Sequence, residues 1–220
     1  MTPFMYIRLR IIQWILFWIG TLGWSLRIRG RQNVPRKGAV LFLGNHVSAL
    51  DPPLVGTCSP RWVIYLARKS LFGNRFFGPF IRWYGAVPLD RDVGTEGLKV
   101  ALAQLEAGSA VVMFPEGTRS ETGQLQPLKP GVVLLLKRAN CRIVPVGIAG
   151  MIHAWPRGQA LPNFAPLFLA PQPGTIAIEY GESYSSERYR TMDRDAILAD
   201  LSRELAEVSA RAEAIRRKPK

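Results

Sequence analysis

Short apolar runs recur along most of the chain, and each is bounded by polar or turn-forming residues. From Gly38 onward these runs cover residues 39–43, 62–67, 85–89, 110–114, 143–148 and 175–180. Runs of this length predict strands, and the segments of helical pattern between them are typical of an α/β arrangement. We therefore predict a single α/β domain with a mixed β-sheet flanked by helices.

Two segments have apolar residues at helical spacing. Residues 95–107 place their apolar side chains on one face, and Gly108 then suits the positive φ that ends many helices. After Asp193 the same spacing continues as far as Ile215, opposite a charged face and before a basic tail. We predict a strand–helix–strand unit around the first segment and an amphipathic C-terminal helix for the second. Residues 156–174 lack a clear period and predict a surface or membrane-proximal loop.

The N-terminal segment is uncharged from Ile11 to Leu26 and has arginines on both sides. Polar residues and glycines interrupt it, so it is marginal for crossing a bilayer, and its basic flanks give no asymmetry that would orient a span. Trp14, Trp18 and Trp24 suit the headgroup boundary, because an indole ring is apolar with a polar N–H. We predict a helix embedded in one leaflet. A helix packed on the core and a single transmembrane span are the alternatives.

Length and composition limit the number of domains. With 220 residues, of which 48% are hydrophobic, the chain can bury one sizeable core. We predict that residues 1–30 form the membrane-associating helical segment and that residues 31–190 form the α/β domain. Residues 191–220 are expected to form the C-terminal helix and basic tail, packed on the same domain.

The net charge of +13 predicts an anionic partner. Six Trp, ten Phe and the apolar N-terminus favour an anionic lipid surface over a nucleic acid. The two cysteines, Cys58 and Cys141, lie far apart, which predicts neither a disulfide framework nor a metal site and fits a reducing compartment. We therefore predict a protein associated with the cytoplasmic face of the cell membrane.

Only two histidines occur, and His46 is the one with a carboxylate nearby in the sequence. His46 follows a predicted strand, where α/β proteins place their sites, and Asp51 comes five residues later. A turn between strand and helix can bring Asp51 back to accept the Nδ1 proton, which leaves Nε2 free to act as a base. The alternative is a chance pair in which the aspartate only caps a helix.

A second polar cluster, Glu116 to Arg119, follows the predicted strand that ends at Phe114. A guanidinium can bind a phosphate through two parallel hydrogen bonds, and Gly117 permits close backbone approach to a ligand. An ordinary polar turn is the alternative. Cations also follow two other predicted strands, as the pair Arg68 and Lys69 and as Arg91, and cations at neighbouring strand ends can converge on one anion.

Several common catalytic motifs are missing. The sequence has no Gly-x-Ser-x-Gly elbow and no cysteine near a histidine, so a covalent acyl-enzyme has no evident nucleophile. It also has no glycine-rich nucleotide loop, so we predict no nucleotide cofactor.

Four blocks, in this order, resemble the glycerolipid-phosphate acyltransferase family, in particular its lysophosphatidate (1-acylglycerol-3-phosphate) acyltransferase branch. They are Asn45-His46-Val47-Ser48-Ala49-Leu50-Asp51, Gly85-Ala86-Val87-Pro88-Leu89-Asp90-Arg91, Phe114-Pro115-Glu116-Gly117-Thr118-Arg119-Ser120 and Ile143-Val144-Pro145-Val146-Gly147-Ile148. The first and third blocks together are specific, and the resemblance covers residues 34–181. An N-terminal membrane-embedded helix is also typical of the family's bacterial members.

The resemblance implies roles for particular residues. It implies His46 as the base and Asp51 as its orienting partner. The residues implied at the acceptor, several of them at its phosphate, are Asn45, Arg68, Lys69, Arg91, Glu116, Gly117, Thr118 and Arg119.

The implied reaction moves an acyl group from acyl-CoA or acyl carrier protein, as substrate, to the sn-2 hydroxyl of lysophosphatidate, with no cofactor and no metal. One alternative is the same chemistry on glycerol-3-phosphate, a lyso-ornithine lipid or another lysophospholipid. A second is a noncatalytic basic protein that binds membranes or nucleic acid through charge alone.

Overall fold

The computed structural model describes residues 3–75, 77–89, 96–156, 159, 161–167 and 173–217. The helices are α1 (Pro3–Trp24), α2 (Asp51–Cys58), α3 (Phe77–Trp83), α4 (Glu96–Glu106), α5 (Gly131–Arg138), α6 (Met151–Ala154) and α7 (Arg194–Arg217). The strands are β1 (Arg27–Arg29), β2 (Val40–Gly44), β3 (Ile64–Arg68), β4 (Ala86–Leu89), β5 (Ala110–Met113), β6 (Arg142–Ala149), β7 (Ala177–Tyr180) and β8 (Tyr184–Ser185). Short 3-10 turns span Arg31–Asn33, Lys69–Gly73 and Ser186–Tyr189.

The strands form one mixed sheet in the order β1-β7-β6-β2-β5-β3-β4, and β8 pairs with β6 beside β7. The pairs that join β6, β2, β5, β3 and β4 are parallel, as is the pair of β1 with β7. Strands β7 and β8 run antiparallel to β6. Because five neighbouring strands are parallel, the loops that follow them all emerge at one edge of the sheet.

Helices cover both faces of the sheet and enclose two apolar cores. Strand β2 shows why, since Val40 and Phe42 face one core while Leu41 and Leu43 face the other. Helices α1, α2, α3 and α6 pack on the first face, and α4, α5 and α7 pack on the second. A strand buried on both faces reads as a continuous apolar run, which is the pattern the sequence shows here.

The predicted α/β fold with a mixed sheet is confirmed. All six predicted strands are present, with ends that differ by one or two residues, and the helices predicted at 95–107 and after Asp193 are α4 and α7. Five elements have no counterpart among the predictions: β1, β8, α3, α5 and α6. They are short or lack a complete period, so tertiary contacts decide them. Strand β1 also brings Arg27–Arg29, at the end of the predicted N-terminal segment, into the sheet beside β7.

The N-terminal helix α1 is longer than the uncharged stretch from which it was predicted. One of its sides packs on the first core through Ile12, Leu16 and Phe17. Gln13 is buried there and donates to the carbonyl oxygen of Gly56 at 2.8 Å. Within the described part of the chain, no helix combines the length and apolar character that a membrane crossing requires. The predicted embedding of this helix in one leaflet is treated below as a proposal.

We expect Gly147→Ala to destabilise the protein. A Cβ on Gly147 in β6 would lie 2.2 Å from the carbonyl oxygen of Val208, on the backbone of α7, so the strand and helix would have to separate. Overpacking of this kind typically costs about 1–3 kcal/mol in the free energy of unfolding. Urea denaturation followed by circular dichroism measures the change. Gly73→Ala is the matched control, because nothing lies within 4 Å of its added Cβ; equal stability of the two variants would contradict this packing.

Candidate active site

The candidate residues lie where parallel strands end. His46 follows β2, the Glu116 turn follows β5, and Lys69 follows β3. These three strands are neighbours in the sheet, so the topology brings together loops that are up to 70 residues apart in sequence. The sequence prediction that these polar residues meet at one edge agrees with this geometry.

His46 and Asp51 form a hydrogen-bonded pair. Nδ1 of His46 lies 2.9 Å from Oδ2 of Asp51. Because an ionised carboxylate can only accept a hydrogen bond, Nδ1 carries the proton and donates a hydrogen bond to Asp51. Nε2 then has a free lone pair, and it has no hydrogen-bond partner among the described residues. The ring stacks on Phe114 with centroids 4.2 Å apart, which fixes its plane.

Asp51 is fully buried, and its position is set by the start of α2. Its Oδ2 accepts the backbone N–H groups of Val47 at 2.6 Å and Ser48 at 2.7 Å, in addition to the imidazole. Its Oδ1 is buried without a hydrogen-bond partner among the described residues. Burial raises the pKa of the Asp51 carboxyl, while the hydrogen bonds from His46, Ser48 and Val47 oppose the rise. The carboxylate therefore both closes the turn and orients the ring.

The turn after β5 holds the backbone of His46 from two sides. Oε1 of Glu116 accepts the His46 N–H at 2.6 Å, and the N–H of Ser120 donates to the His46 carbonyl oxygen at 2.7 Å. Oε2 of Glu116 accepts the N–H of Gln126 at 2.8 Å. Burial raises the pKa of Glu116, and the N–H groups of Gln126 and His46 oppose the rise. Both carboxylate oxygens of Glu116 are thus occupied by backbone groups, so its observed contacts position the loops.

Asn45 also makes a structural contact. Its Nδ2 donates to the carbonyl oxygen of Ile148 at 2.9 Å, and its Oδ1 accepts the N–H of Ile148 at 2.8 Å. This two-point contact ties the loop after β2 to the end of β6. A substrate-binding role for Asn45 stays a prediction.

The predicted phosphate-binding residues Gly117 and Thr118 are exposed, and Arg119 is half-buried. Gly117 has φ +70, which favours glycine. The guanidinium of Arg119 forms no ion pair with any described residue, so it is available to a ligand. Sequence reasoning gave no role to Lys129, yet its Cγ lies only 3.1 Å from where a Cβ on Gly117 would be. The Lys129 N–H donates to the Pro115 carbonyl oxygen at 2.7 Å, and this contact brings Lys129 to the turn.

The other predicted cations are only partly described. Lys69 is exposed and begins the 3-10 turn after β3. Arg68 is the last residue of β3, but its side chain lies outside the described part of the structure. Arg91 lies outside the described residues altogether. Over the described ranges, no group of three or more His, Cys, Asp and Glu side chains could hold a metal ion.

An apolar cavity of about 270 Å³ lies beside the pair, between α1, α2, α3 and α6. Leu50 and Pro53, on either side of Asp51 in sequence, line one end of it. Leu16 of α1 and Ile81 of α3 line other walls. The lining is almost entirely apolar. The sequence gave no sign of this cavity, because its walls come from four helices that are distant in sequence.

Comparison with known proteins places the chain in a family. A family model described as Acyltransferase matches residues 25–149, which is more than half of the chain. The protein belongs to this acyltransferase family. This confirms the family that the four sequence blocks predicted.

Among individual relatives, the chain is similar to enzymes of one name. The chain is 29% identical over 165 residues to a 1-acyl-sn-glycerol-3-phosphate acyltransferase of Limnanthes douglasii, covering 71% of this chain and 57% of the relative. It is 29% identical over 128 residues to the enzyme of that name from Bacillus subtilis, covering 57% of this chain and 63% of the relative. The chain thus spans less than two thirds of the length of these relatives.

A solved structure supports the fold. The crystal structure of the 1-acyl-sn-glycerophosphate (LPA) acyltransferase from Thermotoga maritima superposes with a TM-score of 0.76. The match covers 95% of this chain and 80% of that chain at 20% sequence identity.

We expect Asp51→Asn to lower turnover by at least about a hundredfold while leaving the protein as stable or more stable at neutral pH. An amide no longer fixes the Nδ1–H tautomer or stabilises an imidazolium. Because burial raises the pKa of Asp51, ionising it costs more in the folded than in the unfolded state. Wild-type stability therefore falls as the pH rises from the ordinary aspartate pKa through the raised one, and the variant lacks this loss.

Urea denaturation at pH 4 and pH 7 tests the sign of this effect. Placing Asp51→Asn in a His46→Gln background, and comparing it with His46→Gln alone, removes the titration of the imidazole from the comparison. The gain in the free energy of unfolding from Asp51→Asn should be larger at pH 7 than at pH 4. An advantage that shrinks as the pH rises would contradict the assigned direction.

Proposed function

We propose that the protein is a 1-acylglycerol-3-phosphate O-acyltransferase that uses His46 as a general base. It would transfer a fatty acyl group from an acyl thioester, acyl-CoA or acyl carrier protein, to the sn-2 hydroxyl of lysophosphatidate, giving phosphatidate. The observation that carries the proposal is the pair of His46 and Asp51, whose geometry presents an unpartnered Nε2 at the sheet edge. Family membership and the names of the relatives support the choice of reaction.

In the proposed step, Nε2 of His46 removes the proton from the acceptor hydroxyl as its oxygen attacks the thioester carbonyl carbon. The tetrahedral intermediate then collapses, the carbon–sulfur bond breaks, and the imidazolium returns the proton to the leaving thiolate. Asp51 stabilises the transient imidazolium through the 2.9 Å contact. No covalent acyl-enzyme is needed, because the acceptor hydroxyl itself is the nucleophile.

The exposed turn from Gly117 to Arg119 is the proposed site of the acceptor phosphate. Its position supports this, since the same turn bonds both the N–H and the carbonyl oxygen of His46. A phosphate held there would keep the acceptor close to the base, which is how positioning lowers a barrier. Arg68, Lys69 and Arg91 would add positive charge at neighbouring strand ends.

The apolar cavity is the proposed site of the acyl chain. Leu50 and Pro53, which flank Asp51 in sequence, are among its lining residues, and this supports a bound chain close to the proposed catalytic pair. Burial of methylene groups in such a cavity supplies binding free energy without polar contacts.

We also propose that α1 embeds in one leaflet at the cytoplasmic face of the cell membrane. Trp14 and Trp18 on this helix are more than 40% exposed, at 64% and 42%. Such exposure of large apolar rings in water is unfavourable, whereas at a headgroup boundary it is not. Both the acceptor and the product are amphiphiles, so an enzyme held at the bilayer would reach them directly.

We expect His46→Ala to lower turnover by at least about a hundredfold, because the acceptor hydroxyl loses its base. The assay combines purified protein, a defined acyl-CoA or acyl carrier protein and lysophosphatidate, with the product identified by mass spectrometry. His153→Ala is the matched control, since this second histidine is exposed on α6. Near-normal turnover by His46→Ala, with the fold intact by circular dichroism, would refute the mechanism.

Arg119→Ala should raise the KM for lysophosphatidate by about tenfold or more and leave the KM for the donor nearly unchanged. A charge-assisted hydrogen bond to phosphate contributes about 1.5–3 kcal/mol, which corresponds to this factor. Arg138→Ala is the control, because Arg138 is exposed at the end of α5.

A small acceptor panel completes the test. Monoacylglycerol lacks the phosphate, so wild type and Arg119→Ala should use it equally poorly. Preference for glycerol-3-phosphate or a lyso-ornithine lipid over lysophosphatidate would identify another acceptor for the same chemistry. Equal effects of Arg119→Ala on both KM values would argue against the phosphate role.

A further inference from the structure

The exposed apolar side chains of the protein are concentrated on one side. Twelve large hydrophobic residues are exposed in the described part of the chain, and seven of them lie on α1 between Ile7 and Leu22. Four more are Leu71, Phe80, Leu161 and Phe164. Only Leu134, on α5, belongs to the helix layer on the other face of the sheet. Single exposed hydrophobics are normal on a soluble protein, but such clustering marks an interaction surface.

Two of these residues come from the loop 161–167, part of the stretch 156–174 that the sequence predicted as a surface or membrane-proximal loop. Leu161 is 74% exposed and Phe164 is 61% exposed. The loop is fixed to the end of α1: Ala165 N–H donates to the Gly23 carbonyl oxygen at 2.8 Å, and Phe164 stacks on Trp24 with centroids 5.1 Å apart. The loop and the helix end therefore form one structural unit, although about 140 residues separate them in sequence.

The charge distribution matches an anionic lipid surface. Residues 1–89 carry twelve Lys and Arg residues and one acidic residue, Asp51, which is buried in the catalytic pair. The other fifteen of the sixteen Asp and Glu residues follow residue 89. Arg8 of α1 lies over the Trp83 ring and Arg82 of α3 lies over the Phe72 ring, so cations belong to the helices that carry the exposed apolar side chains. Cations beside an exposed apolar face favour anionic headgroups.

We infer that the loop 161–167 is a second membrane-inserting element, which enters an anionic leaflet together with α1. The inference rests on the proposed membrane association of α1 and adds the loop, the residues Leu161 and Phe164, and the orientation of the protein on the lipid. The acyl cavity supports the same orientation, because Ile19 and Phe80 belong both to its walls and to the exposed apolar side. A chain can thus pass between leaflet and cavity without crossing water.

Single cysteines carrying an environment-sensitive dye test the inference. Native Cys58 and Cys141 are buried, so a cysteine introduced at an exposed position is labelled selectively in the folded protein. We choose Leu161→Cys in the loop, Ile15→Cys on α1 and Leu134→Cys on the opposite face. Each is added to vesicles of phosphatidylethanolamine and phosphatidylglycerol that contain acyl chains with a nitroxide quencher.

We expect dyes at positions 161 and 15 to shift to the blue and be quenched, and the dye at position 134 to do neither. An unquenched dye at 161 beside a quenched dye at 15 would overturn the loop's role and leave the membrane association of α1 intact. Absence of quenching at both would overturn the membrane association as well. Quenching at all three would show nonspecific adsorption and overturn the proposed orientation.

A charge substitution supplies an independent readout. Leu161→Glu should lower the partition of the protein into these vesicles by about tenfold or more, since a charge replaces a leucine that the inference places inside the leaflet. Leu134→Glu, at the other exposed leucine, should leave partition unchanged. Equal partition of the Leu161→Glu variant and wild type would contradict insertion of the loop. Leu161 and Leu134 are both exposed, and neither belongs to the two apolar cores, so neither substitution removes a core contact.

Discussion

The buried carboxylate of Glu116 is the contact on which the site depends. It accepts the backbone N–H of His46 with one oxygen and that of Gln126 with the other, so it joins the loop after β2 to the loop after β5. A buried carboxylate is costly unless its oxygens are hydrogen-bonded, and both are. The same residue was predicted at the acceptor from its place in the third block. That role stays a prediction, and the observed contacts of Glu116 hold His46 and the turn after β5 at a fixed separation.

Asp51 is a second buried carboxylate that accepts backbone N–H groups, but only one of its two oxygens is hydrogen-bonded to described residues. Its Oδ2 serves three donors, while Oδ1 is buried without a partner among the described residues. Burial raises its pKa, so the folded state spends stability to keep this group ionised. In the proposed mechanism this desolvated carboxylate would stabilise the imidazolium without reorganisation, which is a reason for a site to tolerate its cost in stability.

The two helix layers of the sandwich differ in what they face. The layer of α4, α5 and α7 presents a polar outer surface, in keeping with the charged face predicted for the C-terminal helix. The layer of α1, α2, α3 and α6 encloses the apolar cavity and carries eight of the twelve large hydrophobic side chains that are exposed among the described residues. The candidate active site at the sheet edge, the apolar cavity and the proposed lipid surface therefore lie on the same side of the sheet.

The sequence by itself determined the six predicted strands, the long helices and the pairing of His46 with Asp51 on which the proposed mechanism rests. Strand and helix periods are local properties, and the scarcity of histidine left His46 as the only candidate near a carboxylate. Only the tertiary structure decided the contacts of Asn45, Glu116 and Lys129, the cavity, and the attachment of the loop 161–167 to α1. Each depends on contacts between segments that are distant along the chain, and the parallel order of the strands, which no local pattern encodes, is what brings those segments together.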